Sequence, residues 1–232
     1  MWWALSLALA DPVSATAADL SGTWRVDLHL VHQLSVPLLG RSPSDSDTVQ
    51  LWRIADGSLT NEHCSITAST RRRIGRPTIP DTFARAIRHT TVPVTLEGDR
   101  VRVDMGVARI GYEPTEAGDV FPDDAEAAGI VDHEGDGLPG ATISVWAPIF
   151  GDVELYVVQR THLLLDGVFD GATVTGTATQ AVFDQRTIGA TRRMFVQSPS
   201  IVPVPEDSTF RMRPMPAEVT CDDPRMAPLA AQ

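Results

Sequence analysis

Four Asp/Gly dipeptides restrict the fold of this chain more than any other feature: Asp56-Gly57, Gly98-Asp99, Gly151-Asp152 and Asp170-Gly171. Each supplies a residue that accepts positive φ where two strands reverse direction. The second can be checked internally. A two-residue loop there sets Glu97 against Arg100, Leu96 against Val101, Val94 against Val103 and Val92 against Met105. One face of the pair is then wholly apolar, while the other carries Thr95, Arg102 and the opposite charges of Glu97 and Arg100. At the third dipeptide the same count opposes Phe150 to Val153, Trp146 to Val157 and Val145 to Val158. Apolar residues on both faces predict strands covered on both sides. The downstream arm "VELYVVQRTHLLL" leads into the hairpin "DGVFDGATVTG", so this region reads as an antiparallel meander.

Upstream, "TWRVDLHLVHQLSVPLL" is apolar at Trp24, Val26, Leu28, Leu30, Leu34, Val36 and Leu38, interrupted only by His32. Period-two alternation of this length predicts one long curved strand, or two joined at a bulge, with a single buried face. His29 and His32, three apart, then face opposite ways. The one helical signal is "IPDTFARAIRH", with Pro80 at its start and Phe83, Ala84 and Ile87 on one side. Residues 198–228 carry seven prolines, which predicts a tail over 197–232 lying extended on the body, with "FRMRPM" as an added edge strand. With no internal repeat or low-complexity linker, residues 18–232 read as one all-β domain. Its antiparallel meander is closed or curled into a barrel that removes exposed edges.

Charge is distributed unevenly. Residues 110–159 hold eleven Asp and Glu and no Lys or Arg, and the rest of the chain balances nineteen acids against nineteen bases, so this segment carries the whole net charge of -11. Such a surface argues against nucleic acid and anionic lipid as main partners, since both require cationic neutralisation. The one opposing signal is the basic run "RRRIGR" at 71–76.

Residues 1–17, "MWWALSLALADPVSATA", have an apolar stretch from Trp2 to Ala10 and end in Ala15-Thr16-Ala17. They read as a secretory signal peptide cut before Ala18, without a basic leading region. The expected location is secreted or periplasmic. Nothing later approaches the roughly eighteen apolar residues of a spanning helix, so no integral membrane segment is expected. In an oxidising compartment the two cysteines, Cys64 and Cys221, are expected to pair, with two buried free thiols as the alternative. Pairing would be worth about 4 to 5 kcal/mol in the chain-entropy model.

The stretch "VDHEGDGLPG" matches part of a Ca2+ loop. With Asp132 at position 1, Glu134 and Asp136 fall at 3 and 5, Gly137 at 6, and the Leu138 carbonyl at 7. Position 12 is Ile143 instead of the bidentate Glu, which predicts weak binding of about 0.1 to 1 mM and a structural role. The alternative is a glycine-rich acidic turn whose carboxylates cap nearby N–H groups. No G-x-S-x-G, HExxH, P-loop or dinucleotide fingerprint is present, and the six histidines follow no ligand spacing. The expectation is a non-enzymatic protein.

Two resemblances add to this reading. "DLSGTW" resembles the N-terminal G-x-W signature of lipocalin-like and avidin-like barrels, here Gly22 and Trp24, which implies a tryptophan closing one end of the barrel. A tie from an early strand to the C-terminal tail is also lipocalin-like. "DHEGDGLPGATISV", "LYVVQR" and "LLLDGVFDGATVTG", over about 130–190, resemble a set of uncharacterised exported proteins of Gram-negative bacteria with a D-x-D-G-D-G-x-P-G loop; no activity comes with them. The leading expectation is an exported carrier of a small apolar ligand. The competing one is a Ca2+-braced extracellular structural or interaction protein. A cavity along the first strand would favour the former, and a core filled by Trp24, Trp52 and Trp146 the latter.

Overall fold

A computed structural model describes residues 20–36, 40–70 and 77–228. The predicted signal peptide, Leu38 of the alternating segment and the basic run at 71–76 lie outside the described residues.

Eleven strands form one antiparallel sheet. β1 (Gly22–Val36), β2 (Gly40–Ala55), β3 (Ser58–Thr70), β5 (Thr91–Glu97), β6 (Arg100–Ile110), β8 (Gly151–Phe169), β9 (Val174–Ala190) and β11 (Thr209–Met215) follow one another around a closed ring. β4 (Pro77–Thr78) and β7 (Ala141–Ala147) extend from one edge of β8, and β10 (Ser200–Pro203) pairs with β1. The one α-helix among the described residues, α1 (Asp81–Ala86), begins after Pro80 and buries Phe83 and Ala84 where the sequence placed it. The expected all-β, barrel-like meander is therefore what forms. Its circumference is uneven, because β3 meets β5 over only Ser58–Thr60 and β9 meets β11 over only four residue pairs.

Three of the four turn readings hold in kind. Asp56 (φ +49) and Gly57 (φ +72) form the two-residue loop between β2 and β3. At the second, Glu97 faces Arg100 and Val94 faces Val103 as counted, with Gly98 at φ +64. Val92 instead pairs with Leu59 of β3. At the fourth, Phe169 faces Val174 across a longer loop, where the Asp170 carboxylate accepts the N–H groups of Ala172 and Thr173.

The third register is different. Val145 faces Val153 and Trp146 faces Asp152, because the reversal is made by Pro148, Ile149 and Phe150 and not by Gly151-Asp152. The Phe150 N–H donates to the Ala147 carbonyl at 3.2 Å, with Ile149 at φ +73. Proline at the first corner presets the turn and moves the register by an odd number, exchanging the two faces of β7. Trp146 consequently stands about half exposed, outside the core it was expected to fill. The double covering survives: Val157 and Leu155 pack with α1, while Val158 and Tyr156 pack under the 112–130 loop with Tyr112 and Phe121.

The tail also departs from expectation. β11 is no added edge, for it inserts between β1 and β9 and completes the ring. Pro214 is accommodated opposite Trp24, past the last residue that β11 pairs with β9.

Candidate functional site

The interior of the ring divides into two halves. Toward the β2–β3 and β8–β9 turns it is apolar and filled: Trp24, Val26, Leu28, Trp52, Leu59, Val101, Val174, Phe210 and Met212 belong to one buried cluster. Trp24 donates its indole N–H to the Leu20 carbonyl at 2.8 Å and meets Phe169 edge-on at 6.3 Å. It is buried at this end, next to the exposed Gly22 at φ +133. Gly167 and Gly176 face each other, and a Cβ on Gly176 would come within 2.1 Å of the Asp166 carbonyl, so this wall approaches too closely for any side chain.

Toward the other end the inward positions turn polar. His32 Nε2 donates to Gln180 Oε1 at 2.6 Å, and Gln180 is in reach of Thr161 at 3.5 Å. Burial lowers the His32 pKa, against the raising effect of the Gln180 hydrogen bond. A second chain starts at Trp52, whose indole N–H donates to Gln50 Oε1 at 2.7 Å; Gln50 Nε2 lies 2.9 Å from His63 Nε2. Because Gln50 Oε1 is already accepting, its amide must donate, so His63 Nε2 is the acceptor and the neutral ring carries its proton on Nδ1. That Nδ1 is buried without a partner. Burial, with His89 nearby, lowers the His63 pKa to about 4, which keeps the ring neutral at pH 7.

Two irregularities open the ring here. Cys64 is the extra residue of a bulge in β3, since Gln50 faces His63 while Val49 faces Ser65. His63 keeps the inward alternation of Leu59 and Asn61, Cys64 falls on the outer face with Val49 and Leu51, and the bulge shifts the alternation of the residues beyond it. In β6 the ladder to β8 is interrupted between Asp104 and Val107, with Gly106 at φ +66 and its N–H held by Asp104. Where β3 parts from β5, two adjoining cavities of about 50 and 210 Å³ share Arg88, Thr90 and Ala108. Gln50, Asn61, His63 and Leu163 wall the smaller, whereas His89, Arg109, Tyr112, Glu113 and His133 wall the larger.

Charge in the larger cavity is ordered by hydrogen bonds. Gly111 N–H donates to His133 Nδ1 at 3.2 Å, so Nε2–H points to Glu113 at 3.3 Å; Arg88 also binds Glu113. Arg109 binds Asp119 at 2.7 Å and holds its carboxyl below the usual range, with Tyr112 donating to the same group at 3.2 Å. Burial raises the Tyr112 pKa, and Asp119 adds to it. The groove therefore offers hydrogen-bond donors beside two arginine–carboxylate pairs.

The acidic loop adjoins it. Asp132 accepts the N–H groups of Gly135 (2.6 Å), Asp136 (3.3 Å) and Gly137 (2.7 Å). Asp136 accepts from Leu138 N–H (2.8 Å) and the Thr142 hydroxyl (2.7 Å), and Glu134 accepts from Thr142 N–H (2.6 Å). Backbone hydrogen bonds, that from Gly137 first, lower the Asp132 pKa; burial raises that of Glu134, and Asp136 and Asp132 raise it further. Among the described residues no three His, Cys, Asp or Glu groups converge as a metal site. Cys64 and Cys221 are paired, fastening the tail to the outer face of β3 beside Val49, Leu51, Val219 and Met226.

Sequence reasoning passed over the groove, although one signal for it was present. Extending the count from Asp56-Gly57 sets Trp52 against Asn61 and Gln50 against His63, a polar run on the face that Trp52 marks as buried. Comparison with family models, with curated proteins and with solved structures finds no match for this chain.

Proposed function

We propose that this is an exported, non-enzymatic barrel protein that binds a small polar ligand in the groove between β3, β6 and the 88–90 segment. One observation carries the reading: of the four buried side-chain polar atoms without a partner among the described residues, His63 Nδ1 is the one whose residue lines either of these two cavities. A buried donor left unpaired costs about 1 to 3 kcal/mol, and a ligand oxygen would recover it. Arg88 and Arg109 favour an oxygen-rich, anionic ligand. The filled apolar end argues for a polar ligand in place of the apolar one that the barrel analogy suggests. Isothermal titration with citrate, inorganic phosphate, glucose and palmitate tests this. Citrate or phosphate binding that Arg88→Ala weakens about tenfold supports the reading; binding of palmitate alone restores the apolar carrier.

A second reading rests on the acidic loop. Asp136 and Asp132 stand close enough to Glu134 to oppose its ionisation, a repulsion that Ca2+ would relieve. Melting in a few mM Ca2+ should then exceed melting in EDTA, and Asp136→Ala should abolish the difference. Equal melting temperatures leave the loop as a self-capped turn.

A further inference from the structure

Of the ten large apolar side chains exposed among the described residues, five belong to one corner: Trp146 (48% exposed), Ile149 (98%), Phe150 (37%), Met194 (63%) and Val196 (39%). The corner is the β7–β8 turn joined to the segment after β9. Phe150 meets Phe195 edge-on at 5.6 Å, and Thr191 binds Glu154 through two hydrogen bonds of 3.0 and 3.2 Å. Its apex is a β-branched residue in the left-handed region, a conformation that such residues rarely hold. Solubility gains nothing from this arrangement, and the core does not use it.

The charge around the tip is equally unusual. All nineteen basic residues are arginine, and at least eleven of the fifteen within the described residues form ion pairs with carboxylates. Arg192 and Arg193 form none; Arg192 lies over the Phe150 ring at 5.7 Å. Two uncommitted guanidinium groups beside a protruding apolar apex and a half-exposed tryptophan match the layers of a bilayer interface, from acyl boundary to phosphate.

We infer that this tip docks the protein on an anionic membrane surface, with Ile149, Phe150 and Met194 inserted shallowly and Arg192 and Arg193 at the phosphates. Asp152, facing Trp146, and Glu154, hydrogen-bonded to Thr191, oppose docking, as does the acidic segment 110–159 that argued against anionic lipid, so the attraction has to come locally from Arg192 and Arg193. The inference is independent of the groove.

The test is sedimentation of the mature protein, Ala18 to Gln232, with vesicles of phosphatidylglycerol and phosphatidylcholine, read together with tryptophan emission. Trp146 is the exposed tryptophan among the described residues, so its blue shift reports insertion. Binding is expected, about tenfold weaker on pure phosphatidylcholine. Ile149→Asp should weaken it about tenfold or more, and Arg192→Glu with Arg193→Glu should remove the anionic preference, whereas Asp152→Asn should strengthen it. Aspartate tolerates the backbone at 149, so loss of binding would not reflect unfolding. Failure to bind either vesicle, or full binding by Ile149→Asp, overturns the inference. Concentration-dependent dimers that Ile149→Asp dissolves, without vesicle binding, assign the tip to self-association.

Discussion

The two halves of the ring interior are stabilised in opposite ways. The closed half is held from within, by Trp24, Trp52, Phe210 and Met212 packed against a wall where Gly167 and Gly176 admit no side chain. The open half has polar residues inside, Gln50, His63, His32 and Gln180, and is braced from outside. That brace is the tail: the Cys64–Cys221 bond, the Val219 and Met226 cluster, and Arg25, which donates to the Ala227 carbonyl at 2.9 Å while paired to Asp27. External support frees interior positions from packing, and a binding site can be built where a core would otherwise be required.

The largest test of this contrast is the disulfide. Cys64→Ser with Cys221→Ser should cost about 4 to 5 kcal/mol in denaturant unfolding. Amide exchange should rise first at β3 residues 61–70 and stay slow in the closed half; uniform acceleration would break the contrast. Next, Trp52→Ala should lose about 3 to 5 kcal/mol in one cooperative transition, because its indole is wholly buried in the cluster that fills the closed half.

His63 gives a pH test of about 3 kcal/mol at most. Its folded pKa of about 4 lies below the unfolded value of 6.5, so the unfolded chain takes up its proton first. Stability is full above pH 6.5, declines as pH falls toward 4, and changes no further from this group below that. His63→Gln should flatten that window in a urea-unfolding series; an unchanged slope would place the burden on His32, whose pKa burial also lowers. The smallest effect is at the tip, where Ile149→Asn should raise stability by about 1 kcal/mol by relieving the left-handed backbone. A drop in melting temperature would show that Ile149 packs against the corner in solution.

Much of the ring could be read from the sequence, because turn chemistry and period-two alternation are local. The β2–β3 and β5–β6 registers, the inward face of β1, the split between His29 and His32, and α1 all follow from near neighbours. What escaped reading depends on distant contacts. Pro148 displaced the turn that Gly151-Asp152 seemed to own, and the reversal of faces exposed Trp146. β11 was hidden among prolines, since its place in the ring is set by β1 and β9, two remote partners. The bulge at Cys64 has no local signature, yet it shifts the faces of the β3 residues beyond it. The groove draws on positions from 50 to 163 with no shared spacing. The acidic loop was found, but its hydrogen bonds show each carboxylate engaged by its own turn.

The most direct measurement is an amide chemical-shift titration of the protein with citrate, and separately with palmitate. The account predicts that citrate shifts Asn61, His63, Thr90, Gly106 and Ala108, while Leu28, Val101, Gly176 and Phe210 stay fixed. Palmitate shifting the second set would contradict it, for the closed half would then hold a ligand where the structure packs a core.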